Sequence, residues 1–252
     1  MYLTSITSSI IVFSILIAIG VLTVKKMDFD LMNTINEWMG SYCQDQAVFD
    51  PKDYKWTRIF RKNWRAIRNE YRQYVTKKGK NTIPYQREIN EIIGDCDSQG
   101  NKWRTLYLRA YNRDTKLIQH FPFTKSLIDR IPCTLAYFSI LEPGAKLDPH
   151  VGLYKGVVRY HLGLRVPKDN RKCYINVNNH FLHWEKGKDI MFDDTYLHYV
   201  ENNTNEERIV LFLDIRRNFD NWIVDFINLC LLYFIKSNDI LDQVIQKVNE
   251  CS

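Results

Sequence analysis

Two histidines and two arginines carry the most suggestive spacing in this 252-residue chain. His150 follows the turn-like stretch EPGAKLDP, and Arg159 comes nine residues later; His198 ends the run IMFDDTYLH, and Arg208 comes ten residues later. Both arginines stand in β-prone runs, VVRYHLGL and ERIVLFL. A cation directed into a sheet interior is costly unless it meets an anion, and a guanidinium fork fits a carboxylate through two parallel bonds. Neutral imidazoles suit iron. Two histidines for a metal and two arginines for a dicarboxylate make the layout expected of a non-haem iron enzyme using 2-oxoglutarate. His161 stands in the same run as Arg159 and joins this group, whereas His120 precedes the β-rich region and His180 and His183 flank a hairpin.

These side chains need a sheet to hold them. From Cys133 onward, short β-rich runs (TLAYFSIL, KGVVRYHLGLRV, KCYINVN, HFLHWEKG, KDIMFD, RIVLFLDI) are separated by the turn signals EPG, VPKDN and NNTNEE. Strands at that spacing predict a β-sandwich or jelly roll, with His150 and His198 at its mouth. Upstream, Leu3 to Val24 has no charged residue, and about 20 apolar residues are what a membrane-spanning helix needs. The expectation is a single-pass membrane protein anchored by residues 3–24. Lys25 and Lys26 after that stretch favour the carboxyl-terminal side in the cytoplasm.

Residues 25–102 read as a basic helical linker. Between Lys52 and Lys80 there are eleven Lys or Arg against only Asp53 and Glu70, above a helical face of Trp56, Ile59, Phe60, Trp64, Ile67 and Tyr71. That helix either packs on the main domain with a solvated basic side or lies against anionic headgroups. No nucleic-acid recognition motif accompanies the charge. Residues 218–252 read as an amphipathic helical region; Trp222 to Ile235, at fourteen residues, is too short to span a bilayer. Six scattered cysteines without a CxxC pair argue against a zinc module and for free thiols.

With these residues in view, the stretch 103–217 resembles the aspartyl/asparaginyl β-hydroxylase family. The match rests on Ser139 in FSILEPG, His150 and Gly152 in PHVG, Arg159 and His161 in RYHLGL, Trp184 in HWEKG, FDDTYLHYVENNT around His198, and Arg208 in ERIVLFLDI. The wording is similar to the bacterial lipid A 2-hydroxylase branch. The resemblance implies a mainly β, double-stranded β-helix (jelly roll, cupin-like) domain with flanking helices. It implies that His150 and His198 bind Fe(II), that Arg208 with Ser139 pairs with the distal carboxylate of 2-oxoglutarate, and that Arg159 and His161 lie near its other end. The cosubstrates would be 2-oxoglutarate and O2, and the substrate a lipid acyl chain or an Asp/Asn side chain of a protein.

One position departs from the ordinary facial triad. The carboxylate expected two residues after the first histidine is Gly152 here. The family's animal protein hydroxylases also have glycine there, whereas the lipid A branch usually has aspartate. Asp148, two residues before His150, is a further candidate ligand. Asp193 and Asp194 either orient His198 or form the turn before it. The alternative to an enzyme is a catalytically inactive jelly-roll interaction module at a membrane. Nothing in the sequence sets the oligomeric state or the side of the membrane.

Overall fold

The three longest β-prone runs form the centre of the larger of two antiparallel sheets. In the computed structural model, which describes residues 29–90, 94–98, 100–236 and 239–250, strand β4 (Cys133–Leu141) pairs with β11 (Arg208–Arg216), and β11 with β6 (Val157–Arg165). Beyond β6 lie β9 (Asp189–Phe192) and β1 (Val48–Phe49); beyond β4 lie β2 (Trp103–Ala110) and β3 (Arg113–Asp114). The second sheet has four strands in the order β5 (Lys146–His150), β10 (His198–Asn202), β7 (Cys173–Val177) and β8 (His180–His183). The architecture is therefore mainly β, as expected.

Because strand side chains alternate in direction, residues two apart share a face. On one face of the large sheet Tyr137 stacks on Phe212 with ring centroids 4.1 Å apart, and His161 lies 4.7 Å from Phe212. Ser139, Arg159, Arg208 and Asp214 fall on this same face by register, which pairs Val210 with Ser139 and Asp214 with Arg159. The other face carries Phe138 and Tyr160. It is covered by helix α2 (Thr57–Lys78), whose Tyr71 meets Phe138 and whose Phe60 meets Tyr160.

Helix α2 buries Phe60, Ile67, Tyr71 and Tyr74, which recur at helical spacing, and it stops at Gly79, where φ is +90° and the amide bonds back to the Val75 carbonyl. Its Glu70 accepts bonds from the Phe123 and Thr124 amides, each at 2.8 Å, and so caps the short helix Pro122–Ile128 from outside. The packed reading of the basic helix thus describes its apolar side. Helices α1 (Phe29–Gly40) and Trp222–Lys236 meet in a second, smaller apolar cluster around Met39, Tyr154, Phe219 and Leu231.

The expected single-pass membrane placement is corrected. Among the described residues no helix is long and apolar enough to cross a membrane. Residues 3–24, on which the anchor rested, lie outside the described residues. The Trp222–Lys236 helix has 15 residues, about 22 Å at 1.5 Å per residue, against a hydrocarbon core of about 30 Å.

Candidate active site

The two predicted metal-binding histidines are brought together by strand pairing. His150 is the last residue of β5 and His198 the first of β10, and they are direct cross-strand partners with ring centroids 4.2 Å apart. Each Nδ1 faces a backbone carbonyl, His150 that of Asp148 at 2.7 Å and His198 that of Tyr196 at 2.9 Å. A carbonyl only accepts, so each Nδ1 carries the proton and each Nε2 keeps a free lone pair. Burial keeps both rings neutral. It lowers the pKa of His150, and that of His198 to about 2, where the neighbouring His150 and then Arg159 add to the effect.

No third ligand joins them: among the described residues no group of three or more His, Cys, Asp or Glu side chains is placed to hold a metal. Asp148 is solvent-exposed and contributes its backbone carbonyl to His150. At Gly152 the space for a side chain is already taken. A Cβ there would come within 2.0 Å of Oδ2 of Asp194, and the Gly152 amide donates to the Asp194 carbonyl at 2.6 Å. Asp194 is 4 % exposed, and its Oδ1 has no hydrogen-bond partner among the described residues. Burial raises its pKa to about 6 despite the Arg159 guanidinium 2.8 Å away.

Asp193 does different work. It accepts bonds from the Thr195 amide and hydroxyl, at 3.0 and 2.7 Å, which makes the turn before His198. Lys155 at 2.8 Å and Arg217 at 2.5 Å neutralise it where it is fully buried. Of the two aspartates, one therefore shapes the turn and the other fills the gap at residue 152.

The arginines have unlike surroundings. Arg159 is clamped between Asp214, at 3.0 Å, and Asp194, and these carboxylates outweigh the burial that would otherwise lower its pKa. Arg208, 2 % exposed, has no carboxylate partner among the described residues. One of its Nη atoms donates to the Ser139 carbonyl and hydroxyl at 3.2 and 3.1 Å, its guanidinium lies 4.4 Å over the Trp184 ring, and its Nε is buried and unpaired. Burial depresses its pKa to about 10. A cation so buried is suited to pairing with an anion.

His161 completes this wall. The Trp184 indole N–H donates to its Nδ1 at 3.3 Å, so its Nε2 carries the proton; that atom is buried without a partner among the described residues. Burial, then Arg208 and Arg159, hold the ring neutral. Contacts from Arg208 through Trp184, His161 and Phe192 reach His198, joining the cation to the histidine pair. All six predicted site residues, Ser139, His150, Arg159, His161, His198 and Arg208, face this one interior. Sequence reasoning missed three neighbours. Trp103 donates to the Ser139 hydroxyl at 3.0 Å, and Cys173 lies beside Arg208 with its thiol pushed by burial to about 11. The third, Asp214, left a trace: it is an acid six residues after Arg208 in an otherwise apolar strand.

The chain is similar to known proteins over this region. It is 35% identical over 183 residues to an ornithine lipid ester-linked acyl 2-hydroxylase from Rhizobium tropici, covering 69% of this chain and 64% of that protein. It is 28% identical over 179 residues to the human aspartyl/asparaginyl beta-hydroxylase, covering 68% of this chain and 22% of that protein. The chain thus spans less than two thirds of the length of either relative. Among solved structures it is similar to a Pseudomonas putida prolyl-4-hydroxylase, at 14% identity and a TM-score of 0.41 over 63% of this chain and 88% of that one. The family model for aspartyl/asparaginyl beta-hydroxylase matches residues 61–218, and this chain belongs to that family.

Proposed function

We propose that this chain is an Fe(II)- and 2-oxoglutarate-dependent hydroxylase acting on a C–H bond of a lipid acyl chain. The observation that carries the reading is Arg208, a buried cation with no carboxylate partner among the described residues, in the same interior as a histidine pair whose Nδ1 atoms face carbonyls and so leave Nε2 to accept a metal. The fit to the absent groups rests on these atoms. Iron would be held by Nε2 of His150 and His198, a set of neutral nitrogen donors that suits Fe(II). Bound together, iron, 2-oxoglutarate and O2 supply the oxidising power, with decarboxylation to succinate as the driving reaction.

The protein's own part is binding, orientation and exclusion of water. Arg208 pairs with one carboxylate of the cosubstrate while the Ser139 hydroxyl, held by Trp103, keeps the guanidinium in place. The Nε2–H of His161 would donate toward the other end, and Arg159, whose charge its two aspartates already offset, would border that end as a fixed wall of the site. Asp194 fills the space beside Gly152, so no side chain of residue 152 would join the two histidines in holding iron. Phe192, Phe212 and Trp184 surround His161 and Arg208 with apolar surface, which strengthens the charge interactions among them.

The acyl-chain substrate is supported by the name of the Rhizobium tropici relative and its higher identity. Gly152 and the human relative support a second reading, hydroxylation of an Asp or Asn side chain in a protein. The first test is substrate-independent: purified protein with Fe(II) should release succinate and CO2 from labelled 2-oxoglutarate, and His198→Ala should abolish this. A wild type without turnover, indistinguishable from His198→Ala in iron binding, refutes the enzyme reading in favour of a non-catalytic module. Mass spectrometry of lipids and of co-purified proteins for one added oxygen atom then separates the two substrates.

A further inference from the structure

The basic side of α2 borders a cleft that the hydroxylase site does not use. The cleft has a volume of about 450 Å³ and lies between the second half of α2, the end of β6 and the start of β11. Five cations border it, Arg68, Arg72, Lys80, Arg165 and Lys186, against one carboxylate, Glu207. Glu207 is already shared: it pairs with Arg165 at 2.5 Å and with Lys80 at 2.6 Å, and Lys80 also reaches Glu142 at 3.4 Å. Arg68, Arg72 and Lys186 make no ion pair among the described residues. The Arg68 Nε is buried with no hydrogen-bond partner there, and its guanidinium lies 4.7 Å over the Trp64 ring. Arg68 and Arg72 are also four residues apart on one helix, where like charges repel. An arrangement that collects cations, leaves three unpaired and buries a donor from one of them is incomplete without an anion.

We propose that this cleft is a binding site for a phosphate ester. A phosphate's several oxygens suit two guanidinium forks and an ammonium better than one carboxylate would. Val75, Leu164 and Ile209 in the cleft wall offer apolar surface to the carbon skeleton attached to it. The site is separate from the hydroxylase site. Ile209 and Glu207 flank Arg208 in sequence, and alternation along the chain sends Arg208 to the opposite face of the sheet. The phosphate ester is either a soluble metabolite or a lipid headgroup, and the test distinguishes the two.

The test is titration calorimetry of the full chain with glycerol 3-phosphate, and sedimentation with phosphatidylcholine vesicles with and without phosphatidic acid. Arg72→Gln/Lys186→Gln, at two exposed positions, should weaken whichever binding the wild type shows by about tenfold or more. Lys77→Gln/Lys78→Gln removes the same charge from the exposed last turn of α2, outside the cleft, and should leave binding within about twofold of wild type. Binding of glycerol 3-phosphate that follows this pattern supports the proposal with a soluble source. Sedimentation only with phosphatidic acid, with the same variant pattern, supports it with a lipid source. Equal weakening by both variants shows bulk charge at work and overturns the site, as does a wild type that binds neither probe. Circular dichroism of each variant confirms that it is folded.

Discussion

Replacing Arg208 with methionine should move stability and cosubstrate binding in opposite directions. The guanidinium is 2 % exposed, with one nitrogen unpaired among the described residues and two neutral acceptors on Ser139. Burial holds its pKa at about 10, a depression that corresponds to about 3 kcal/mol against the charged form. Methionine keeps most of the volume and the contact with Trp184, removes that penalty, and gives up hydrogen bonds worth about 1 kcal/mol net. The balance is a gain of about 1–2 kcal/mol, or a rise in Tm of about 2–8 °C for a chain of this size. Binding should fail by contrast, because truncating one side of a buried charge pair costs about 2–5 kcal/mol. The assay is thermal melting with a redox-inert divalent metal, with and without 2-oxoglutarate. At about 100 times its Kd the cosubstrate should stabilise wild type by about 2.7 kcal/mol; Arg208→Met should melt higher than wild type without it and show no response to it. A variant that melts lower and still responds would refute both the buried-charge penalty and the role of Arg208.

Further expectations follow from the same geometry. Gly152→Ala drives a Cβ into Asp194 and should lose about 1–3 kcal/mol in urea melts; Asp194→Ala in the same chain should return most of it, and additive losses would show that the two positions do not compete for space. Acid should weaken the fold, because burial lowers the pKa of His150, His161 and His198 below the unfolded value of about 6.5, so the unfolded chain takes up protons first. Stability then rises with pH up to about 6.5 and levels off above it, and urea midpoints that do not fall between about pH 7 and pH 5 would contradict that sign. Trp184→Phe removes the donor that sets the His161 tautomer; it should raise the KM for 2-oxoglutarate more than it lowers kcat, and an effect on kcat alone would place His161 elsewhere in the reaction.

The large sheet was legible because its strands are long and apolar. β4 and β11 each run nine residues with nearly every one buried, and Arg159, His161 and Arg208 stand out as polar residues in such runs. β5 and β10 were harder to read. Each has five residues, three of them polar, so neither alternation nor hydrophobicity marks them, and the pairing of His150 with His198 depends on a register 48 residues apart in sequence. Local pattern therefore located the two histidines and left their 4.2 Å ring separation to tertiary structure. The anchor expectation rested on residues 3–24 alone, outside the described residues, and the described helices do not support it.

Gly152 shows the same limit from the other side. Read along the chain, it is a missing carboxylate two residues after a histidine. In the fold it is the reason a carboxylate from another segment fits: the Asp194 side chain lies where a Cβ on residue 152 would be, and the two residues are joined by the 2.6 Å bond between their backbones. A glycine here and an aspartate four residues before His198 are one steric unit, since a larger residue 152 would displace Asp194 and, with it, one of the two carboxylates that hold Arg159. Restoring the ordinary triad would thus take at least two substitutions. Gly152→Asp alone adds a buried carboxylate beside one already raised to a pKa of about 6, and like charges so placed cannot both ionise. The expected outcome is a chain that folds less stably and binds Fe(II) no better than wild type, while Gly152→Asp with Asp194→Gly binds it more tightly. Metal titrations of the two variants measure this directly, and tighter iron binding by the single variant would break the link between the two positions.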